Sequence, residues 1–129
     1  MNLEIAGSGI DLVEVERIEK LLERSGKRFR NRIFTEGEQH YCEAIPRPAI
    51  RYAARFAAKE AISKAFGTGI GEELGWRDME IEHDARGKPL VRFSGEGLKL
   101  VEKRRVQRVE ISLTHTEVYA AAVAILVVD

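Results

Sequence analysis

The first residues, Leu3 to Ile10, alternate loosely between apolar and small or polar positions and predict a strand that Gly7 and Gly9 interrupt. Asp11 then reads as a helix N-cap, with Glu14 three residues on as in a capping box. Val15, Ile18, Leu21 and Leu22 follow at helical spacing, and Ser25-Gly26 ends the run. Thr35 with Glu38 opens a short helix reaching about Ile45, which Pro46 and Pro48 stop. A long helix is predicted from about Ala49 to Phe66, with Gly67 at its C-cap. Ala54, Ala57, Ala58, Ala61 and Ala65 dominate one side of it, while Arg55, Lys59, Glu60, Ser63 and Lys64 fall on the opposite arc with Phe56.

The second half is richer in strands. Met79 and Ile81 alternate with charges, Arg86-Gly87-Lys88 turns the chain, and Pro89 starts a strand through Phe93. Gly97 to Val106 reads as a short helix. Val109, Ile111 and Leu113 alternate, Thr114 to Glu117 turns, and Tyr119 to Val128 forms a more fully buried last strand. The expected fold is α+β in one domain, 1–129: an antiparallel sheet, mostly from the second half, against a long alanine-rich helix and shorter helices.

Composition narrows the class. Acidic and basic residues balance at 21 each, so bulk charge does not favour a nucleic-acid partner. Charged residues are 33% and hydrophobic ones 44%, as in a globular domain with one core. Cys42 is the only cysteine, which excludes an intrachain disulfide and a multi-cysteine metal site. No leader pattern or membrane-spanning run is present in the sequence, and the expected setting is cytoplasmic.

Five groups are candidates for chemistry. Asp11 and Glu60 are carboxylates at informative places; converging, they suit Mg²⁺, which takes one or two protein carboxylates and fills its shell with water and phosphate oxygens. Asp11 as a plain cap, and Glu60 as a helical ion pair with Lys64, are the competing readings. Arg55, Lys59 and Lys64 near Glu60 suit a polyphosphate, or else a solvated helix face. Gly67-Thr68-Gly69-Ile70-Gly71 follows its helix and lacks a GK[ST] ending, so it is not a phosphate loop of the NTPase kind. Ser112, Thr114, His115 and Thr116 cluster at the last hairpin without a nucleophile triad. The run from Arg24 to Arg32 holds five positive charges and no negative ones, a patch for an acidic partner or a solvated loop.

Three segments together resemble the holo-(acyl carrier protein) synthases. They are Gly9-Ile10-Asp11-Leu12-Val13-Glu14-Val15-Glu16-Arg17-Ile18, the stretch Arg55 to Gly69 reading RFAAKEAISKAFGTG, and Ser112-Leu113-Thr114-His115-Thr116 followed by Tyr119 to Ala122. The resemblance implies transfer of 4′-phosphopantetheine from coenzyme A to a serine of apo-acyl carrier protein, releasing adenosine 3′,5′-bisphosphate. It implies Mg²⁺ on Asp11 and Glu60, with Glu60 and Lys64 catalytic. Arg55, Lys59, Lys64, Gly67, Thr68, Gly69, Pro89, His115 and Thr116 would line the coenzyme A site. Arg17, within the first motif, and Arg24, Lys27 and Arg28, by charge, would steer the acidic carrier protein. A homotrimer with interfacial sites is implied as well. The alternatives are a binding module for RNA or an acidic protein, against which only Phe29 interleaves the basic run, and a purely structural subunit, which leaves Lys59, Glu60, Lys64 and His115 without a purpose.

Overall fold

Strand β1, Glu4–Glu14, runs straight through Asp11. The structure, a computed structural model, describes residues 2–129. Asp11 is therefore not a helix cap. Helix α1, Val15–Ile33, starts four residues later, with Glu14 as N-cap and no side-chain cap bond. The reason is the ladder to the last strand, which pairs β1 as far as Glu14 with Tyr119. Several ladder bonds at ~0.5–1.5 kcal/mol each outweigh one cap worth ~1 kcal/mol.

Gly26 breaks α1 at φ 48°, ψ −122°, but the helix resumes beyond it. The basic run is thus mostly helical, not a loop, because Phe29 and Ile33 are buried and pull the second half onto the core. Helix α2, Glu36–Glu43, has the expected capping box, with Glu38 N–H donating to Thr35 Oγ1 at 3.2 Å and Thr35 N–H to Glu38 Oε1 at 2.9 Å. Helix α3, Pro48–Phe66, carries proline in its first turn and ends on Gly67 in the left-handed region at φ 77°. A 3₁₀ turn at Trp76–Asp78 leads into β2, Met79–His83, and β3, Pro89–Phe93. Helix α4, Gly95–Lys103, is shorter at its end than expected, so β4 starts at Val106 and runs to His115. The chain closes with β5, Tyr119–Val128.

Two antiparallel sheets form instead of one. The larger has the order β1-β5-β4, and β2-β3 is a separate hairpin. Helix α3 lies across one face of the larger sheet, against β1 and β5. On that face β5 presents Ala120, Ala122, Ala124 and Leu126, all buried. The glycines of β1 do not break the strand; they let it touch the helix. A Cβ on Gly9 would sit 1.9 Å from the Ala61 carbonyl oxygen, and one on Gly7 would sit 2.1 Å from that of Ala65.

Most of the polar arc expected on α3 is not solvated, although Lys64 is exposed. Arg55, Lys59 and Ser63 are buried with the alanines. Helix α2, β2 and the end of α1 cover that side. The other face of the larger sheet is apolar and open. Ile10 and Leu12 are exposed there, and their register partners Val123 and Ala121 share the face.

Candidate active site

Asp11 and Lys64 meet because β1 and α3 are so close. Gly9 sets the approach two residues before Asp11, and Lys64 stands one position before Ala65. Lys64 Nζ donates to Asp11 Oδ1 at 3.1 Å and to the Ile10 carbonyl oxygen at 3.0 Å. One turn back, Glu60 is half-buried. Burial pushes its carboxyl above the usual range, and the Asp11 carboxylate adds to the push, while Lys64 and Arg17 oppose it. These four side chains form one charged group at the junction of β1, α1 and α3.

The donor set suits a hard cation. Among the described residues no cluster of three or more His, Cys, Asp or Glu side chains exists, so a closed zinc-type cage is not built. Two carboxylates without a third protein donor match Mg²⁺, which keeps water and substrate phosphate in its shell. The Lys64 ammonium on Asp11 is a cation already standing at this place. The Asp11 carboxylate helps hold Glu60 toward its protonated form, a repulsion that a divalent ion would relieve.

The remaining expected residues separate. Lys59 does not line any open site. It is fully buried, and its ammonium donates to Glu38 Oε1 at 2.6 Å, the Ile33 carbonyl at 2.7 Å and the Trp76 carbonyl at 3.0 Å. Arg55, also buried, lies beside Tyr41 and His83. Gly67 and Gly69, both at positive φ, continue the chain just past Lys64, with Thr68 Oγ1 donating to the Gly69 carbonyl at 2.8 Å. Pro89 opens β3 opposite His83. His115 pairs with Ala120, which in turn pairs with Val13, so it shares the α3 side of the sheet with Asp11 across β5. Thr116 is occupied in the hairpin turn: its Oγ1 accepts from the Val118 and Tyr119 amides at 3.1 and 2.9 Å. That hairpin is tied to the start of α1, since Val15 N–H donates to the Val118 carbonyl at 2.8 Å. Arg47 adds a second tie, bonding Glu19 through two nitrogens and the Glu117 carbonyl at 3.0 Å.

The basic residues line up along α1. Arg17, Arg24, Lys27 and Arg28 are all exposed. Arg17 and Arg24 border a hollow of about 400 Å³ with Lys20 and Leu21. Arg28 and Arg32 rim an apolar groove of about 310 Å³ floored by Leu21, Phe29 and Trp76. Sequence reasoning missed Glu38, Tyr41, Arg51 and His83. Glu38 was legible only as a capping-box residue, and its burial at 1% exposure was not.

Known proteins resemble this chain in sequence and in fold. The family model described as the 4′-phosphopantetheinyl transferase superfamily matches residues 7–124. A holo-[acyl-carrier-protein] synthase of Syntrophus aciditrophicus is 42% identical over 122 residues, covering 95% of each chain. The crystal structure of the holo-[acyl-carrier-protein] synthase from Neisseria meningitidis superposes with a TM-score of 0.89 at 36% identity, covering 95% of this chain and 98% of that one. The Helicobacter pylori synthase, solved in complex with coenzyme A, gives a TM-score of 0.83 at 32% identity, covering 92% and 98%.

Proposed function

This chain belongs to the 4′-phosphopantetheinyl transferase superfamily, and from that premise we propose how its residues act. The enzyme transfers 4′-phosphopantetheine from coenzyme A to apo-acyl carrier protein. In our reading Asp11 and Glu60 would hold Mg²⁺, and Lys64 would contact the coenzyme A pyrophosphate. The observation that carries this reading is the group of two carboxylates and one lysine at the β1–α3 contact.

The chemistry follows from the charges. The carrier-protein serine oxygen forms a bond to the phosphorus bearing phosphopantetheine. The bond from that phosphorus to the bridging oxygen breaks, and adenosine 3′,5′-bisphosphate leaves. Bound Mg²⁺ supplies charge neutralisation for the pyrophosphate. Lys64 offsets charge on the departing bisphosphate. The serine proton passes to Glu60 or to a water. The Gly67-Thr68-Gly69 turn, Pro89, His115 and Thr116 are the remaining proposed contacts for coenzyme A, together with Arg55.

Intact mass spectrometry of an apo-acyl carrier protein, incubated with this protein, coenzyme A and Mg²⁺, tests the reading. The expected result is a gain of one phosphopantetheine group that a metal chelator abolishes. A gain that persists in chelator would discard the metal site and keep the enzyme.

The exposed arginines and lysine of α1 are our proposed docking face for the acidic carrier protein. Reversing Arg24 and Arg28 to glutamate should raise KM for carrier protein and flatten its salt dependence, with KM for coenzyme A unmoved. An unchanged KM for carrier protein would end the steering idea. The open apolar sheet face around Ile10, Leu12 and Val123 supports assembly into a homotrimer, with neighbouring copies completing each site. We place the reaction in the cytoplasm. Among the described residues no helix is long and apolar enough to cross a membrane. Cys42 is buried, its thiol pushed up to about 12 mainly by burial, and takes no part.

A further inference from the structure

Helix α4 grips both ends of the glycine loop that follows α3. The loop, residues 67–75, holds glycine at 67, 69, 71 and 75. A Cβ built on Gly67, Gly69 or Gly71 would meet nothing within 4 Å, so no neighbour packs against the backbone there. Ile70 is partly buried against the core and Leu74 fully. Glycine backbone is also the most costly to order. The path of this stretch is therefore set mainly at its ends.

At the first end Gly67 N–H donates to the Ser63 and Lys64 carbonyls at 3.0 Å each, and Gly69 N–H to that of Ser63 at 3.3 Å. The Phe66 carbonyl accepts instead from Arg104 Nη1. The Arg104 guanidinium also lies 5.8 Å from the centre of the Phe66 ring. A cation at the C-terminal end of a helix faces its negative pole. Arg104 caps α4, and the chain leaves that helix through Arg105 at φ 56°. Among the described residues no other non-glycine residue has a positive φ, a conformation that costs a side-chain-bearing residue energy. The left-handed step ends α4 at the residue that reaches α3.

At the far end the partner is Asp78. Its Oδ2 accepts from Gly75 N–H at 2.8 Å and from Gly97 N–H, in the first turn of α4, at 3.1 Å. Its carbonyl accepts from Ser94 N–H at 2.9 Å. A Cβ on Gly97 would lie 2.8 Å from Asp78 Cβ and 3.0 Å from Leu74 Cδ1, so α4 is pressed directly onto the end of the loop.

We propose that Arg104 is a positioning residue for the donor substrate: from α4 it fixes the end of α3 and with it the Gly67-Thr68-Gly69 turn, while Asp78 holds the far end of the same loop. It touches no ligand; it sets the backbone that does. This rests on the reading in which that turn contacts coenzyme A. Glu60 and Lys64 stand on the last turns of α3, but their place is fixed by the close approach of β1 at Gly7 and Gly9. Loss of Arg104 therefore loosens the turn and leaves the reacting groups where they are. The cost falls on binding, because the ligand must then order a glycine backbone that was ordered beforehand.

Arg104→Met should raise KM for coenzyme A about three- to tenfold, the range of one lost hydrogen bond, with kcat within about twofold of wild type and KM for carrier protein unmoved. Arg104→Lys, which keeps a charged donor, should restore most of that loss. Hydrogen exchange followed by mass spectrometry on the ligand-free proteins should show peptides across residues 67–75 exchanging faster in Arg104→Met, with peptides of α1 unchanged. A KM for coenzyme A equal to wild type, a rise in both KM values together, or no faster exchange in the loop would overturn the proposal. Wild-type protein that transfers no phosphopantetheine would end the enzyme reading instead, and the exchange comparison would still decide whether Arg104 holds the loop.

Discussion

Glu60→Gln is expected to lower kcat for phosphopantetheine transfer by roughly 10²- to 10³-fold while raising the melting temperature of the metal-free protein. The loss follows from removing one of two carboxylates that hold the cation, whose charge stabilisation is worth several kcal/mol, with ~1.4 kcal/mol per tenfold in rate. The gain follows from linkage. Burial, then the Asp11 carboxylate, raises the folded-state value of Glu60 above 4.5. The folded protein therefore holds a proton on Glu60 at pH values where the unfolded chain has lost it. Stability from this group is fully present below 4.5 and is lost as pH rises through the raised value. Once pH has risen past the raised value, the wild type carries the penalty of an ionised, half-buried carboxylate beside Asp11, and glutamine carries none. Thermal unfolding of both proteins across pH 4 to 8 should show curves that diverge as pH rises, with the variant more stable at the neutral end. Added Mg²⁺ should narrow the gap by stabilising only the wild type. If the variant were less stable at neutral pH, or if Mg²⁺ moved both proteins equally, Glu60 would not be a strained ligand site. Asp11→Asn should lose activity similarly, and it should also bring the Glu60 limb of the wild-type curve down toward 4.5 by removing its neighbour's repulsion.

Much of this site is legible in the order of residues. The α3 helix and its glycine end are local signals, and both are in place, while Pro48, which reads as a stop for the helix before it, sits in the first turn of α3. So is the capping box of α2. The α+β class, the β2–β3 turn and the closing β4–β5 hairpin follow from alternation and glycine placement. What local signals cannot give is which elements touch. Asp11 and Glu14 look like a cap because nothing in their neighbourhood reveals the β5 ladder more than 100 residues away. Gly7 and Gly9 look like strand breakers because the carbonyls of Ala61 and Ala65, which need that space, lie on another element. The polar face of α3 looks solvated for the same reason. Of the charged residues there, Glu60 and Lys64 do face the candidate site, and Lys59 does not, a difference that helical spacing does not contain.

Lys59 supplies the largest expected stability effect. Its ammonium and the Glu38 carboxylate are both fully buried and 2.6 Å apart. Around them the bonds are complete: Lys59 also binds the Ile33 and Trp76 carbonyls, and Glu38 accepts from the Thr35 and Ile81 amides, the latter at 2.7 Å. One pair thus fastens the end of α1, the start of α2, the middle of α3, the 3₁₀ turn and β2. Burying such a pair gains little net stability, but removing one partner strands the other charge, at ~3–5 kcal/mol. Glu38→Ala leaves an ammonium with two carbonyls and no counter-charge, and should lower the melting temperature by roughly 10 °C or more. Lys59→Met leaves a carboxylate that keeps two amide donors, so its cost should be smaller. The double variant Glu38→Gln with Lys59→Met strands no charge and should be more stable than Glu38→Ala. Denaturant melts of the set give the coupling directly. At a temperature where it is folded, Lys59→Met should leave KM for coenzyme A unchanged, since the lysine is enclosed on every side. A large rise in that KM without a matching loss of stability would return Lys59 to the ligand site, and a cost below about 1 kcal/mol for Glu38→Ala would remove the pair as the fastening of this fold.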